Sequence, residues 1–170
     1  MGDMVVVMDT GHIEQAGTAE EIYNQPKTTY VAEFMGGWNV VNATVAGTEN
    51  GETTLKGGDG ELYGLKANGQ DVSGDLSFGV RRDKIHLASD HAEGKNSVAG
   101  IVHAIEYQGN WVKVTIIKPN DERLVAVIDD QEFFGNPAKV GDNVHAVWAV
   151  EDGRTLEQAL GSQHLIGESF

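Results

Sequence analysis

Apolar residues recur at every second position through most of the chain, and turn residues separate the runs. Leu76, Phe78 and Val80 alternate with polar or small neighbours and predict a half-buried strand. Asn50-Gly51 is a strong hairpin signal between two further runs. Several short strands with turns between them are typical of a small antiparallel barrel or sandwich. We therefore expect mainly β structure over residues 38–150.

The first 36 residues follow a different pattern, in which two short apolar runs precede two helical segments. Thr18, followed three residues later by Glu21, has the form of a capping box and predicts a short helix. Pro26 ends that helix, because the residue before a proline disfavours helical geometry. A second helix is expected behind a cap at residues 28–29, and the glycines at 36–37 end it.

These opening elements are too small to bury their own apolar sides. We expect those side chains to pack either on the barrel or on a partner outside the chain. The side chains concerned are Val5, Val7, Ile13, Ile22, Phe34 and Met35.

The chain is acidic, which limits the partners it can bind. Its 170 residues hold 12 Lys and Arg against 26 Asp and Glu, a formal charge of -14. This balance repels phosphate backbones and anionic lipid headgroups, so nucleic acid is not an expected partner. The absence of cysteine excludes disulfides, thiolate metal sites and a cysteine nucleophile. No apolar run reaches the ~20 residues of a membrane span, and we expect a soluble, cytoplasmic protein.

Motifs that carry catalysis are missing from the sequence. There is no GxxxxGK[ST] phosphate loop, no GxSxG elbow and no histidine spacing typical of a zinc hydrolase. Asp129, Asp130 and Glu132 form the densest carboxylate group. We interpret this group as a solvated turn rather than as an acid–base or divalent-cation site. The sequence therefore predicts no catalytic residue, no cofactor-binding residue and no metal site.

Aromatic residues are few, and three of them lie next to turns. Trp111, Phe133 and Phe134 are candidates for an exposed apolar patch and hence for a protein interface. Anchoring in the core or in a loop is the alternative for each of them. A barrel that binds single-stranded nucleic acid needs a basic lining around such aromatics, and the only basic cluster, at residues 81–84, is too small to supply it.

Two stretches near the start of the chain form a specific motif. The first, Asp3–Tyr23, reads D-M-V-V-V-M-D-T-G-H-I-E-Q-A-G-T-A-E-E-I-Y. The second, Tyr30–Gly36, reads Y-V-A-E-F-M-G and follows Pro26. Together they resemble the end of the ATPase domain in ABC importers of the sugar, glycerol-phosphate and polyamine type. Ala19 stands where that family usually has proline.

Later segments resemble the accessory domain of the same subunits, the transport-associated OB (TOBE) domain. Residues 79–85 read G-V-R-R-D-K-I and are similar to the family motif G-[VI]-R-P-E-x-[IV], with Arg82 at the usual proline. Residues 148–152 are similar to the closing motif W-x-x-E-D. The motif positions carried over to this chain are Gly79, Val80, Arg81 and Asp83.

The resemblance implies a mainly β fold, an OB-like antiparallel barrel of the TOBE type, preceded by a short α/β remnant of an ABC ATPase domain. The implied divisions are residues 1–36 for the remnant, 37–152 for the TOBE domain and 153–170 for a tail. One or two helical turns are expected over residues 155–160, unless the tail is mobile. The chain is expected to be truncated, since the family's phosphate loop, signature and switch histidine all lie upstream.

The implied function is a regulatory and dimerisation domain that couples the ATPase cycle to solute uptake. Such a chain would itself hold no ATP or Mg²⁺ and have no ATPase activity, although the parent protein would be an ABC-type ATPase. Its implied partners are a second copy, met through the accessory domain, and membrane permease subunits, met through the missing ATPase domain. That complex would lie in the cytoplasm against the inner membrane. The alternative is an OB-like domain that senses a small ligand, either an oxyanion or a solute.

Overall fold

Residues 4–66 and 73–157 are described in the computed structural model of the chain, and most of them lie in strands. These strands are β1 (Met4–Asp9), β2 (His12–Thr18), β3 (Trp38–Glu49), β4 (Glu52–Gly57), β5 (Leu62–Lys66), β6 (Asp75–Arg81), β7 (His86–Ala88), β8 (Asn96–Gln108), β9 (Trp111–Ile117), β10 (Arg123–Asp129), β11 (Asn143–Trp148) and β12 (Gly153–Leu156). The α-helices in the same ranges are α1 (Ala19–Asn24), α2 (Thr29–Met35) and α3 (Asp130–Gly135), and 3-10 turns span Arg82–Lys84 and Val150–Asp152. None of the helices in this part of the chain has the length and apolar character needed to cross a membrane.

Two five-stranded antiparallel sheets form the barrel, in the orders β5-β4-β3-β6-β12 and β10-β9-β8-β11-β7. In each half of the barrel three consecutive strands form a meander, and a fourth strand pairs with the first of them. The last short strand of each half then crosses to the other sheet, so that β7 pairs with β11 and β12 pairs with β6. The predicted mainly β, OB-like barrel is therefore confirmed, and its two halves exchange their final strands.

The two halves also bend at equivalent points. β3 is bulged between Val45 and Gly47 against β4, and β8 is bulged between Val102 and Ala104 against β9. A bulge bends its strand and increases the twist, which lets each long strand curve around the interior. The predicted hairpin at Asn50-Gly51 is confirmed, and both residues have the positive φ, 54° and 77°, that its tight turn requires.

The interior between the sheets draws on both halves. The Tyr63 ring from one half stacks on the Trp148 ring from the other, with centroids 5.9 Å apart, and tilts against Phe78 at 5.5 Å. Neither half therefore has a core of its own. The aliphatic side chains that surround these rings include Leu55, Leu65, Val80, Val98, Val102, Val114 and Ile116.

β1, β2, α1 and α2 form a separate small body, residues 4–35, which we call the hairpin unit. Both predicted helix starts are confirmed, because Thr18 and Thr28 accept hydrogen bonds from the amides three residues later. The predicted glycine stop is confirmed as well, since Gly36 has a left-handed φ of 74°. These caps fix the two short helices against the hairpin.

Part of the apolar side of the hairpin unit is buried within the unit itself. Val7, Ile22 and Val31 form its small core, and Val5, Tyr30 and Met35 pack against them at the edge. The expectation that Val7 and Ile22 need a partner elsewhere is therefore wrong, because α2 folds back over them. Other apolar side chains of the unit remain at the surface, namely Met4, Val6, Met8, Ile13 and Phe34.

The chain end differs from the sequence prediction. The helix expected over residues 155–160 is wrong for its first three residues, because Gly153–Leu156 forms β12 and pairs with β6, and Glu157 forms a bridge with Thr28. The exchange of strands leaves an open edge on β6 that this segment fills. The remainder of the predicted helix and tail, residues 158–170, lies outside the described residues. The division of the chain after residue 36 stays a prediction.

Two asparagine side chains join the sheets reciprocally. Asn39, in β3, donates from Nδ2 to the Val125 carbonyl at 2.8 Å and accepts from the Val125 N–H at 2.8 Å. Asn96, at the start of β8, accepts from the Gly64 N–H at 2.7 Å and donates to the Gly64 carbonyl at 3.0 Å. Val125 and Gly64 lie in β10 and β5, the edge strands of the two sheets. Each buried amide thus supplies the hydrogen-bond partners that one residue of an edge strand would otherwise lack.

An ion pair in the interior also links the halves. Lys118, which follows β9, is 3% exposed, and its Nζ lies 2.8 Å from Asp59 Oδ2 in the turn between β4 and β5. The same ammonium donates to Tyr63 Oη at 3.0 Å and to Glu122 Oε2 at 3.2 Å. Asp59 also accepts a hydrogen bond at Oδ1 from the Glu61 N–H at 3.1 Å, which holds its carboxylate in the turn. The sequence predicts only a turn at Asp59 and misses this role.

The surroundings of this ion pair favour the charged form of both groups. Burial by itself would raise the pKa of Asp59, but contact with Lys118 and a hydrogen bond from the Glu61 N–H outweigh burial and lower that pKa. Burial by itself would lower the pKa of Lys118, but Asp59, Tyr63 and Glu122 together raise it above its ordinary value. Both groups are therefore charged across the neutral range.

Replacement of Asn39 by alanine tests the reciprocal amide bonds. The change leaves the N–H and the carbonyl of Val125 without their hydrogen-bond partners. We therefore expect a loss of roughly 2–3 kcal/mol in the free energy of unfolding. Urea denaturation measures it. Asn42→Ala, on the exposed face of the same strand, is the matched control, with an expected loss of about 0.5 kcal/mol or less. Equal losses from the two variants would contradict the role of Asn39.

Asp59→Asn tests the interior ion pair through its pH dependence. At pH 7 the variant leaves Lys118 short of a countercharge, and we expect a loss of about 3–5 kcal/mol in the free energy of unfolding. The folded-state pKa of Asp59 is lowered. Its contribution is therefore present above the unfolded-state pKa of about 3.9 and is lost as pH falls through the folded-state value. The difference between wild type and variant should be constant from about pH 5 to 7 and shrink below about pH 4.

The control for this experiment is Asp75→Asn, because Asp75 is an exposed carboxylate that only accepts a hydrogen bond from Thr44. Its difference from wild type should stay within about 1 kcal/mol at every pH. A pH-independent loss in Asp59→Asn would show that its carboxylate charge is not what stabilises the interior.

Candidate interaction sites

The acidic segment after β10 has a structural role. The Asp129 side chain accepts a hydrogen bond from the Gln131 N–H at 2.9 Å and caps α3, so a helix begins where the sequence predicted a solvated turn. Glu132 Oε1 lies 2.7 Å from His86 Nδ1 at the surface. Within residues 4–66 and 73–157, no three His, Asp or Glu side chains are grouped as a metal site requires.

Two positions of the motif at 79–83 serve the packing of the barrel. Gly79 lies under Trp38, where a Cβ atom would sit 3.0 Å from the indole ring and 3.1 Å from the side chain of Leu156. A larger residue would force these two side chains to shift, so glycine favours the close approach of β6 to them. Val80 is fully buried in the interior.

Arg81 attaches the hairpin unit to the barrel. Its Nε and Nη2 donate to the two carboxylate oxygens of Asp83 at 3.0 and 2.7 Å. Its Nη1 donates to Asn24 Oδ1 at 2.9 Å, and its guanidinium carbon lies 5.2 Å from the centre of the Tyr23 ring. The paired Asp83 holds the planar guanidinium in a fixed orientation, in which it meets the end of α1. The sequence placed Arg81 and Asp83 in a motif without giving them a role.

Other contacts reinforce this junction. The Trp38 indole N–H donates to the Tyr23 carbonyl at 2.7 Å, and Arg154 Nε donates to the Pro26 carbonyl at 3.1 Å. Backbone hydrogen bonds between residues 27–29 and Glu157 add a short parallel bridge. The hairpin unit is therefore held at several separate points along the barrel.

The three aromatic candidates do not form one patch. Phe133 is 2% exposed and belongs to the core, so its predicted place at the surface is wrong. α3 turns Phe134 outwards, where its ring stacks on Tyr107 at 5.9 Å with planes 5° apart. These two rings are 61% and 64% exposed, and we call them the aromatic pair. Trp111, on the outer face of β9, lines a different surface.

Trp111 borders a cleft of about 480 Å³ where the hairpin unit meets the barrel. We call it the junction cleft. Arg82 and Lys113 bring two cationic side chains to it, in a chain that is acidic overall. The other residues that line the junction cleft are Tyr23, Gly36, Gly37, Asp83, Gln108 and Val127.

Two further clefts lie at equivalent places in the two halves of the barrel, on the outer side of the bulged strands. The cleft on the second half, about 560 Å³, is mainly apolar and includes Ile101, Ile117 and Val144. Its counterpart on the first half, about 520 Å³, is more polar and is called here the polar cleft. Its polar side chains are Asn42, Thr44, Lys56, Asp75 and Ser77.

An apolar surface on the hairpin unit is also exposed. Met4, Val6 and Met8 lie at alternate positions of β1 and project from its outer face. Ile13 and Phe34 are further exposed apolar side chains of the hairpin unit. All five side chains are at least 50% exposed. Contiguous apolar surface of this kind marks a contact region in soluble proteins. The described residues leave this face uncovered.

Comparisons with a family model and with sequence relatives agree with each other. The TOBE domain family matches residues 78–156, which include the motif at Arg81 and the exchanged strands. The spermidine/putrescine import ATP-binding protein PotA of Bacillus thuringiensis (strain Al Hakam) is 31% identical over 157 residues, 92% of this chain and 38% of the relative. The same-named protein of Thermobifida fusca (strain YX) is 30% identical over 158 residues, 92% of this chain and 41% of the relative.

The chain thus spans about two fifths of the length of these relatives. A solved structure, that of the cytoplasmic molybdate-binding protein ModG with molybdate bound, superposes with a TM-score of 0.62. It covers 70% of this chain and 96% of its own, at 18% identity, which shows a shared OB-like fold and no more. From these comparisons, residues 78–156 belong to the TOBE domain family, and over most of its length the chain is similar to ATP-binding proteins of spermidine/putrescine import.

Proposed function

We propose that this chain is the assembly and regulatory module of an importer's ATP-binding subunit and does not itself hydrolyse ATP. The observation that carries the proposal is the hairpin unit, which exposes an apolar face and is fastened to the barrel through Arg81. The matched relatives are ATP-binding proteins more than twice as long as the aligned segment. The remainder of an ATPase domain is the partner that we propose for that face.

The junction supports a regulatory role because Arg81 makes specific contacts on both of its sides. Arg81 is fixed by Asp83 on the barrel side and meets Tyr23 and Asn24 on the hairpin side. A displacement of the ATPase domain would therefore be passed to the barrel as a rotation rather than absorbed in a loose linker. A contact that favours one barrel arrangement would bias the ATPase cycle by its difference in affinity, typically ~1–3 kcal/mol.

For the assembly role we propose that two copies meet through the aromatic pair, Tyr107 and Phe134. Large exposed rings supply contact area at little entropic cost, and such residues dominate measured interface energies. Linking two ATPase domains in this way keeps them at an effective concentration in the mM range. The names of the relatives, which specify spermidine/putrescine import, support a polyamine as the imported solute. We further propose membrane permease subunits as partners and a place at the cytoplasmic side of the membrane.

A second candidate function is the sensing of a small oxyanion or solute in the polar cleft. Lys56 offers a cation there, and the Asn42–Ser77 and Thr44–Asp75 hydrogen bonds, 2.6 and 2.7 Å, hold the polar side chains in place. The shared fold with a molybdate-binding protein supports this candidate. The excess of acidic groups opposes it.

Phe134→Ser tests the assembly role. Sedimentation equilibrium of the chain across µM to mM concentrations should show a reversible dimer, and the variant should raise the dimer Kd at least about tenfold. Leu62→Ser, which removes an equally exposed side chain from β5, should change the Kd less than about twofold. A monomeric wild type at mM concentration, or equal effects of both variants, would rule out the aromatic pair as the contact.

Isothermal calorimetry tests the second candidate, with molybdate, glycerol phosphate and spermidine as separate titrants. A sensor gives saturable heat with one of them, and Lys56→Gln should weaken binding of an anionic titrant at least about tenfold. Lys66→Gln, an exposed lysine in β5 outside that cleft, is the matched control. An absence of saturable heat with all three titrants would remove the sensing role and leave the assembly role standing.

A further inference from the structure

Arg82 is a half-buried cation without a countercharge. It lies between Arg81 and Asp83, which pair with each other, and its backbone N–H donates to the Gly37 carbonyl at 3.0 Å. Its Nε is buried and has no hydrogen-bond partner among the described residues. Burial also lowers the pKa of the guanidinium, a sign that the charge is partly stripped of water. A charge in this position is costly unless an anion approaches it.

The neighbouring carboxylates are already occupied. Both oxygens of Asp83 are taken by Arg81, at 3.0 and 2.7 Å. Asp129, opposite Trp111 in the β9–β10 ladder, caps α3. In the described ranges, no carboxylate lies within ion-pair distance of Arg82.

A second cation and an aromatic ring face the same space. Trp111 and Lys113 are two residues apart on β9 and project from its outer face, whereas Val112 between them points into the core. Lys113 has only an exposed, 3.5 Å pairing with Glu106, which a bound anion can replace. Gly36 and Gly37, across the cleft, contribute no side chains, and a Cβ on Gly37 would collide with the Tyr23 ring.

We propose that the junction cleft binds a small oxyanion ligand, a carboxylate or a phosphate, with Arg82 and Lys113 as the charge partners and the Trp111 indole as an apolar wall. The planar guanidinium suits two-pronged contact with carboxylate or phosphate oxygens. A volume of about 480 Å³ accommodates a metabolite-sized molecule. Arg82 occupies the position where the resembled motif has proline, so the site is a property of this chain rather than of that motif.

The location gives the ligand a defined effect. Tyr23 of the hairpin unit and Trp111 and Lys113 of the barrel all line the junction cleft, so a bound anion would lie against both bodies. Binding would therefore add a contact across the junction and stabilise the arrangement that the structure shows. The site is separate from the aromatic pair and from the polar cleft, and it depends on neither proposed role.

Tryptophan fluorescence of the full chain is the direct test, with inorganic phosphate and citrate as the two probes. Trp38 and Trp148 are 6% and 1% exposed, whereas Trp111 is 46% exposed, so a change in emission reports mainly on the cleft. We expect a saturable change with at least one probe, and the stronger probe tells whether the phosphate or the carboxylate form is preferred. Arg82→Gln and Lys113→Gln should each weaken binding at least about tenfold.

Matched variants separate this site from general charge effects. Arg123→Gln removes one positive charge from an exposed position on β10, outside both proposed anion sites. It should leave the affinity within about twofold of wild type. Arg82→Gln should keep the wild-type circular dichroism spectrum, since Arg82 Nε makes no hydrogen bond and the side chain forms no ion pair within the described residues. No saturable change with either probe up to about 10 mM, or equal affinities for wild type and Arg82→Gln, would overturn the proposal.

Discussion

The barrel is closed by two asparagine side chains, each of which satisfies the backbone of an edge strand in the other half. Asn39 does so for β10 and Asn96 for β5, and the exchanged strands β7 and β12 close the opposite edges. The edges of β11 and β6 are thus covered by the exchanged strands, and Val125 and Gly64 on two outer strands gain hydrogen-bond partners across the barrel. The consequence is mutual dependence, because neither half retains paired edges or a complete core without the other.

The hairpin unit is attached to this barrel by hydrogen bonds from several side chains. Arg81, the Trp38 indole and Arg154 each cross the junction, and the hairpin unit keeps only a small core of its own. The hairpin unit exposes an apolar face on its outer side and contacts the barrel on its inner side. This arrangement is expected of a unit that lies between a larger domain and the barrel. In the proposed function, this domain passes the movement of the ATPase domain to the barrel and offers binding surfaces.

The sequence predicted features that depend on local chemistry and missed those that depend on distant partners. Caps at Thr18 and Thr28 and the Asn50-Gly51 hairpin follow from residues within one turn. β12 has four residues, and its partner is about 75 positions earlier in the chain, so no local pattern distinguishes it from a helix. Phe133 and Phe134 are identical side chains on opposite sides of α3, and Asp59 looks like any turn residue until Lys118 is placed beside it.

The most direct measurement of the central claim is the distance between the hairpin unit and the barrel in solution. Because the chain has no cysteine, spin labels can be placed at Glu20 and Lys139 alone, two exposed positions on the two bodies. Pulsed electron paramagnetic resonance should give one narrow distance distribution, which Arg81→Gln broadens. A distribution that is already broad in the otherwise unchanged chain would contradict a rigid junction and, with it, the relay role assigned to this domain.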